Sequence, residues 1–509
     1  MQRALHSISI FQRRIPKVVR WAAWTAVASC LVVLCAISRA QGSAATGAKM
    51  VDISGFIDPA CAAAITDGQS HPLSSCYSTL ADARRRYPES SELGQEYAQA
   101  VIQSALDSMG AAGGTIILPC GVYLANTAIR ITDNKTLQGS GDCTVLKKSG
   151  NDSLLFLTGS SPILRDVLVD GSKDQGHNGI DVAVNGATGA VIRDCTIINA
   201  GSNGISIYRS TKTVVRSDRL RENGHTAILA LQNVDSSSIQ DNDIDIPASA
   251  NEAAQGVQFR SNIAGATADR NVIGFNRITV GTRMGYCVEA AGTGGGPAKS
   301  DQVVHNQCTL TANALGGYSI ADAVGTVVSS NTMDANEFNA IYTGIELVNV
   351  NQAVIEYNVL VGHGKLARGI WCSRSNIGDN IRFNLIDEIA AAGSGIDIKT
   401  TIAGETASGN RIDDNVIRFL EPSPDTKGLW LFCQPGTTCN NNEFAHNAVL
   451  NDGPSSGQGI RLDNYGTMQS NILQGNIMHN VTVCIAAKKD GATQDIGNEC
   501  TLSKAASAQ

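Results

Sequence analysis

The chain has 509 residues, 43% of them hydrophobic and 17% charged, with 46 acidic side chains against 39 basic ones. Its first forty residues hold six Lys or Arg and no acid, so the remainder sets 33 basic against 46 acidic residues, a charge near −13. A field of that sign excludes nucleic acid and anionic membrane as the main partner, because binding to either is driven by neutralising phosphates.

Residues 1–40 read as a secretory signal, with a basic start, an apolar run over 21–37 and a small-residue site at Ser38-Arg39-Ala40. The expected location is therefore secreted or periplasmic. The apolar run is also long enough to stay uncleaved as a membrane anchor, which is the alternative. Arg13-Arg14 points to twin-arginine export and Pro16 against it. Twelve cysteines follow the signal, an even number for an oxidising compartment. None has zinc-site spacing with histidines, so no metal site is expected from them and disulfides are. Proximity alone suggests Cys61 with Cys76, Cys120 with Cys143, Cys433 with Cys439 and Cys484 with Cys500.

A leader over 41–95 precedes YAQAVIQSALDSMG (97–110), where Val101, Ile102, Ala105, Leu106 and Met109 recur at helical spacing. The helix runs into GGTIILPCGVY, an arrangement suited to capping the open apolar end of a solenoid. From there a Gly-aliphatic strand recurs, as GIDV at 179, GISI at 204, GVQF at 256, GYCV at 285, GYSI at 317, GIEL at 344, GIWC at 369, GIDI at 395, GLWL at 428 and GIRL at 459. Between the copies lies Asn-x-apolar, as NRI at 276, NQC at 306, NTM at 331, NVL at 358, NLI at 384 and NVI at 415. Short alternating strands broken by Gly or Asn have the period of a strand, and one copy cannot bury its own apolar face. The expected fold is all-β: a right-handed parallel β-helix over 96–500, about twelve coils at ~4.8 Å each, with a disordered tail at 501–509. The recurring asparagines are expected to form a buried ladder between coils. Gly362-His363-Gly364 falls in the turn between NVL and GIWC, where the glycines serve the turn.

The helix and GGTIILPCGVY, with LQGSGDCTVL and VDGSKDQGHNGIDV, resemble the pectate lyase superfamily, which includes pectate lyases, polygalacturonases, polymer epimerases and phage tailspike depolymerases. The resemblance covers roughly 97–488 and its motifs are architectural. It implies a β-helix acting on polysaccharide, with a homotrimer as an assembly by analogy. The paired Asp-Asp of polygalacturonases and the Tyr-Gly-Phe-Asp-Pro-His run of alginate epimerases are absent; only Asp181, in HNGIDV, resembles one acid of the polygalacturonase set.

By the same resemblance the groove runs along the Gly-aliphatic strands. Counting Gly as zero, positions +1 and +3 are apolar and inward, and +2 and +4 face solvent. The +2 column then holds Asp181, Ser206, Gln258, Cys287, Ser319, Glu346, Trp371, Asp397, Trp430 and Arg461; the +4 column includes Tyr208, Arg260, Glu289, Lys399, Phe432 and Asp463. Trp371 and Trp430 offer flat faces for sugar rings, with Arg260, Glu289 and Arg461 as further substrate contacts. Long segments after the strands at 256, 285, 395 and 428 suit cleft walls. Glu346 and Asp397 lie two coils apart, ~9.6 Å between backbones, a spacing open to inverting hydrolysis, with Lys399 holding Asp397 ionised. A lyase reading makes Lys399 or Arg260 the base and gives the carboxylates Ca²⁺; no other cofactor is implied. A second cluster, His177, Asp181, Tyr208 and His225, suits acid–base work near the N-terminal end. The expected function is cleavage of a uronic-acid-containing glycan by hydrolysis or β-elimination. The alternatives are a non-catalytic carbohydrate-binding β-helix and a polymer-level uronate epimerase.

Overall fold

The computed structural model describes residues 49–61, 65–292, 296–312, 314–338, 341–453, 456–488 and 493–502. The expected export segment lies outside them, as do residues 503–509. The chain divides at Lys49, and everything below concerns the unit from Met50 onward. No helix among the described residues is long and apolar enough to cross a membrane.

This unit is a parallel β-solenoid of about thirteen turns, one more than the repeat count suggests. Each coil contributes to three parallel sheets. The first stacks the Gly-aliphatic strands, from Ile129–Ile131 through Ile205–Tyr208 and Val257–Ser261 to Val483–Lys488. The second stacks the strands that follow the asparagines, ending at Glu499–Leu502, which takes in the first two residues of the expected tail. The third begins with the leader itself, where Met50–Asp52 pairs in parallel with Gly114–Ile117. Inward Ile, Val, Leu and Phe side chains from all three sheets fill one continuous core. The helix Tyr97–Asp107 closes its N-terminal end, burying Val101, Ile102, Ala105 and Leu106.

The two repeating residues have separate physical causes. At the corner entering the first sheet the coils approach so closely that a Cβ on Gly369 would stand 2.4 Å from the Gly395 carbonyl oxygen and 2.4 Å from Ile386 Cγ2. Glycine is therefore required by the neighbouring coil. The asparagines form the expected ladder, unbroken from Asn242 to Asn498. Asn358 is typical: its Nδ2 donates to Val328 O and to Asn384 Oδ1, both at 2.9 Å, and its Oδ1 accepts from Asn331 Nδ2 at 3.0 Å. Each amide thus satisfies buried backbone that the sheets cannot reach. A shorter second ladder, Asp379, Asn410, Asn442 and Asn471, runs along the corner between the first and third sheets.

All four disulfides suggested by proximity are present, and a fifth joins Cys287 to Cys308. Cys195 and Cys372 remain buried thiols. His363 lies within the strand segment Val359–Ser373 at a left-handed φ of 50°. Its Nε2 meets Asp334 Oδ1 at 3.0 Å and its Nδ1 meets Glu388 Oε2 at 3.1 Å, so the imidazole clasps the coils on either side of its own.

Candidate functional site

The outer face of the first sheet carries the expected columns, with two slips of two residues each. In the coil at 285, Val288 pairs with Val257 and Glu289 with Gln258. Tyr286 and Cys287 are two extra residues after the glycine, so Cys287 takes the position of Gly256 and Gly317 in the neighbouring coils, buried at its disulfide, and Glu289 moves from the +4 to the +2 column. The +2 column then reads Ser206, Leu229, Gln258, Glu289, Ser319, Glu346, Trp371, Asp397, Trp430, Arg461. The second slip is at 179, where Val182 pairs with Ile205. Asp181 consequently falls inside the solenoid, fully buried against Lys148 Nζ at 2.9 Å. Burial pushes its carboxyl up to about 7.

Correcting the register brings together a pair that the sequence reading separated. Glu289 and Glu346 stand in one outward column on either side of Ser319, two rungs apart, ~9.6 Å between backbones. Tyr286 reaches across the gap: its hydroxyl donates to Glu346 Oε2 at 2.5 Å, and Ser319 Oγ donates to the same oxygen at 3.3 Å. Gly316 makes that reach feasible, because a Cβ there would stand 2.7 Å from the Tyr286 ring. Glu289 accepts from Gln258 Nε2 at 3.0 Å. Burial pushes its carboxyl above the usual range, the hydrogen bond from Gln258 and the charge of Arg260 pull it back, and the charge of Glu346 adds to the rise. One acid is thus biased toward holding a proton, and the other receives two hydroxyl protons.

Asp397 does not face the groove as expected. It is fully buried between Trp371 and Trp430, its neighbours in the column, with Arg368 Nε 3.3 Å from Oδ2. Burial pushes it up to about 6 against the charges of Arg368, Lys399 and Lys427. Buried against Arg368, it is the internal counter-charge of a basic patch and not an outward groove acid. Above it, Arg368 lies 4.0 Å over the Trp371 ring, and Trp430 is approached by Lys427 at 4.5 Å, Lys399 at 5.4 Å and Arg461 at 5.6 Å. Trp430 Nε1 donates to Asp463, which also binds Arg461. The expected sugar-stacking tryptophans are therefore half-buried, Trp371 against one cation and Trp430 against three. Lys399 also lies over Phe432, 4.9 Å from its centroid, which places it with the aromatic wall.

A cavity of about 350 Å³ opens at the outgoing edge of the first sheet, lined in part by Gly292, Pro297, Asp322, Asn349 and Asn351. Asp322, Asn349 and Asn351 continue the strands of Ser319 and Glu346, and Gly292 and Pro297 belong to the long segment after the strand at 285. The second expected cluster does not assemble: Asp181 faces inward, Tyr208 donates to Gln232 on the outer face, and His225 meets Thr226 Oγ1 at 3.2 Å, with burial lowering its affinity for a proton. Among the described residues no hydrogen bond or ion pair joins any of these three to another or to His177. The groove acids also lack a third converging ligand; among the described residues the one convergent set of three is Asp413, Asp414 and His446.

Fold and site together define a parallel β-helix protein with a carboxylate pair, an aromatic–cationic wall and a side cavity along one sheet. No family model matches the chain, and no curated protein is similar to it in sequence. Among solved structures, the A-module of a mannuronan C-5 epimerase of Azotobacter vinelandii has a TM-score of 0.41 and 17% identity, over 90% of this chain and 100% of that one. PfbA, a surface adhesin of Streptococcus pneumoniae, gives 0.48 and 11% over 87% and 93%. The catalytic unit of a thermostable α-1,3-glucanase from Streptomyces thermodiastaticus gives 0.42 and 13% over 89% and 71%. The parallel β-solenoid of this chain is itself the architecture to which the sequence resemblance pointed. No equivalence of individual residues follows at these values.

Proposed function

We propose that this chain is an exported enzyme that hydrolyses glycosidic bonds of an anionic polysaccharide in the groove of the first sheet. The observation that carries the reading is the Glu289/Glu346 pair: two outward carboxyls two rungs apart, one biased toward protonation by burial, the other held by Tyr286 and Ser319. Glu289 is the proton donor to the leaving oxygen and Glu346 the base that activates water. Inverting hydrolysis needs carboxyls ~6.5–9.5 Å apart with room for that water, and ~9.6 Å between backbones lets side chains lean into the range. The wall of Trp371, Trp430, Lys399, Lys427 and Arg461 favours a sugar carrying carboxylate or another anionic group, since ring faces stack and the cations meet the charge.

The test incubates the chain with polygalacturonate, alginate, rhamnogalacturonan and neutral glucans, with and without Ca²⁺, following reducing ends and unsaturated-uronate absorbance together. Reducing ends without unsaturation, lost in Glu289→Gln and Glu346→Gln, are expected. Unsaturated product would replace hydrolysis by β-elimination. Binding without any product from the whole panel would leave a carbohydrate-binding β-helix, for which the aromatic–cationic wall is sufficient.

A further inference from the structure

A second constellation lies at the corner between the third and second sheets, away from the groove. Asp414 and His446 occupy equivalent turn positions in successive coils, each with a left-handed φ of 53°, and Asp414 N donates to Ala445 O at 3.1 Å. The repeat thus stacks a carboxylate directly over an imidazole, one rise of ~4.8 Å apart. Asp413, the last residue of the strand Arg411–Asp413, brings a second carboxylate to the same corner, with Oδ1 3.1 Å from His446 Nδ1. One oxygen from each aspartate and one imidazole nitrogen all lie within 4.8 Å of one another.

Two features of the surroundings distinguish this corner from a surface ion pair. Asp413 is 7% exposed, and its other oxygen is held by Arg411 Nη2 at 2.7 Å, an outer contact of the kind that orients a ligating carboxylate. In the next coil the same turn position is Gly475, where a Cβ would stand 2.9 Å from His446 Cδ2. The absence of a side chain there gives the ring the space it occupies. Elsewhere along this corner the column holds pairs with no donor set of this kind, such as Phe275 stacked on His305 and Tyr357 stacked on Phe383.

From this geometry we infer that Asp413, Asp414 and His446 form a site for a divalent transition-metal ion, with zinc as the best match. One imidazole nitrogen and two carboxylate oxygens are the mixed donors zinc accepts, and three protein ligands leave a fourth position for water. Arg411, shared between Asp413 and Glu443, offsets part of the acidic charge, so the site keeps a net negative charge before metal binds. That favours moderate affinity. The ion would tie two successive coils at a corner remote from the carbohydrate groove.

The decisive measurement uses the chain after chelator treatment and dialysis, titrated with Zn²⁺ alone and read by elemental analysis and by the visible spectrum of a Co²⁺-substituted sample. One zinc per chain and a low-coordinate Co²⁺ spectrum are expected. His446→Ala and Asp414→Asn alter exposed side chains, so they should keep the wild-type circular dichroism while affinity falls about 10- to 100-fold. Glu346→Gln should bind zinc unchanged, which separates this site from the groove. Failure of the wild-type chain to take up zinc, or equal uptake by His446→Ala and Asp414→Asn, overturns the inference.

Discussion

Tyr286 and Glu346 are 60 residues apart in sequence, yet the phenol donates to the carboxylate across two coils at 2.5 Å. The contact depends on the two extra residues in the coil at 285, which set Tyr286 beside Gly316, and on Gly316, which leaves its path clear. Tyr286→Phe should therefore leave the fold intact and remove one hydrogen bond to a charged group, a difference of about 1.5–3 kcal/mol. In the glycan assay kcat/KM should fall about 10- to 150-fold with KM little changed. An unchanged rate would remove Glu346 from the chemistry.

Gln258 donates to Glu289 and so favours its ionised form. If Glu289 must be protonated to act, activity is lost as pH rises through its pKa. Gln258→Leu removes an interaction that lowers this pKa, so the alkaline limb of the kcat/KM profile should move to higher pH. A shift to lower pH would contradict the assignment of Glu289 as the donor.

Asp379 stands where the second ladder would accept an asparagine. Ala353 N donates to its Oδ1, while Oδ2 has no hydrogen-bond partner among the described residues. Burial pushes this carboxyl up to about 7 from 3.8. A raised acid pKa gives stability that is fully present below the unfolded value and lost as pH rises through the folded one, here between about pH 4 and 7. Asp379→Asn supplies an amide that can donate to Asn410 Oδ1. Thermal melts should show the variant more stable than wild type at pH 8 by a few kcal/mol and nearly equal to it at pH 4. Equal melting at both pH values would mean that the carboxyl is relieved some other way.

Asn358 sits in the middle of the long ladder and makes bonds in both directions. Asn358→Ala strands the Val328 carbonyl and the amide of Asn331, at a cost on the order of 3–5 kcal/mol. Urea unfolding should show that loss. A loss below about 1 kcal/mol would show that water enters the corner and replaces the amide.

The fold was legible in the sequence because a solenoid repeats its own constraints. Glycine recurs where the next coil leaves no room for a Cβ, and asparagine recurs where buried backbone needs an amide, so both leave a period in the chain. The helix over 97–110 was legible by its apolar spacing, and four disulfides by proximity alone. The fifth, Cys287 with Cys308, was not suggested, and it forms where Cys287 is buried at the corner position of its coil.

The site was legible only in part, for a reason of register. The pairing between coils sets which residue stands at the tight corner that glycine holds elsewhere, here Cys287 and Asp181, and which stands in the outward column. Glu346, Trp371 and Trp430 were placed on the correct face by counting from glycine. Glu289 and Asp181 were misplaced because the coils at 285 and 179 carry two extra residues before the inward aliphatic, and only the pairing of Val288 with Val257 and of Val182 with Ile205 reveals it. Asp397 was assigned to the correct column, but its burial and its pairing with Arg368 come from the neighbouring coils. Sequence alone determined the β-helix, because its signals lie within each coil. Tertiary structure decided which acids meet, because that depends on the register between coils and on the neighbouring side chains that cover or expose them.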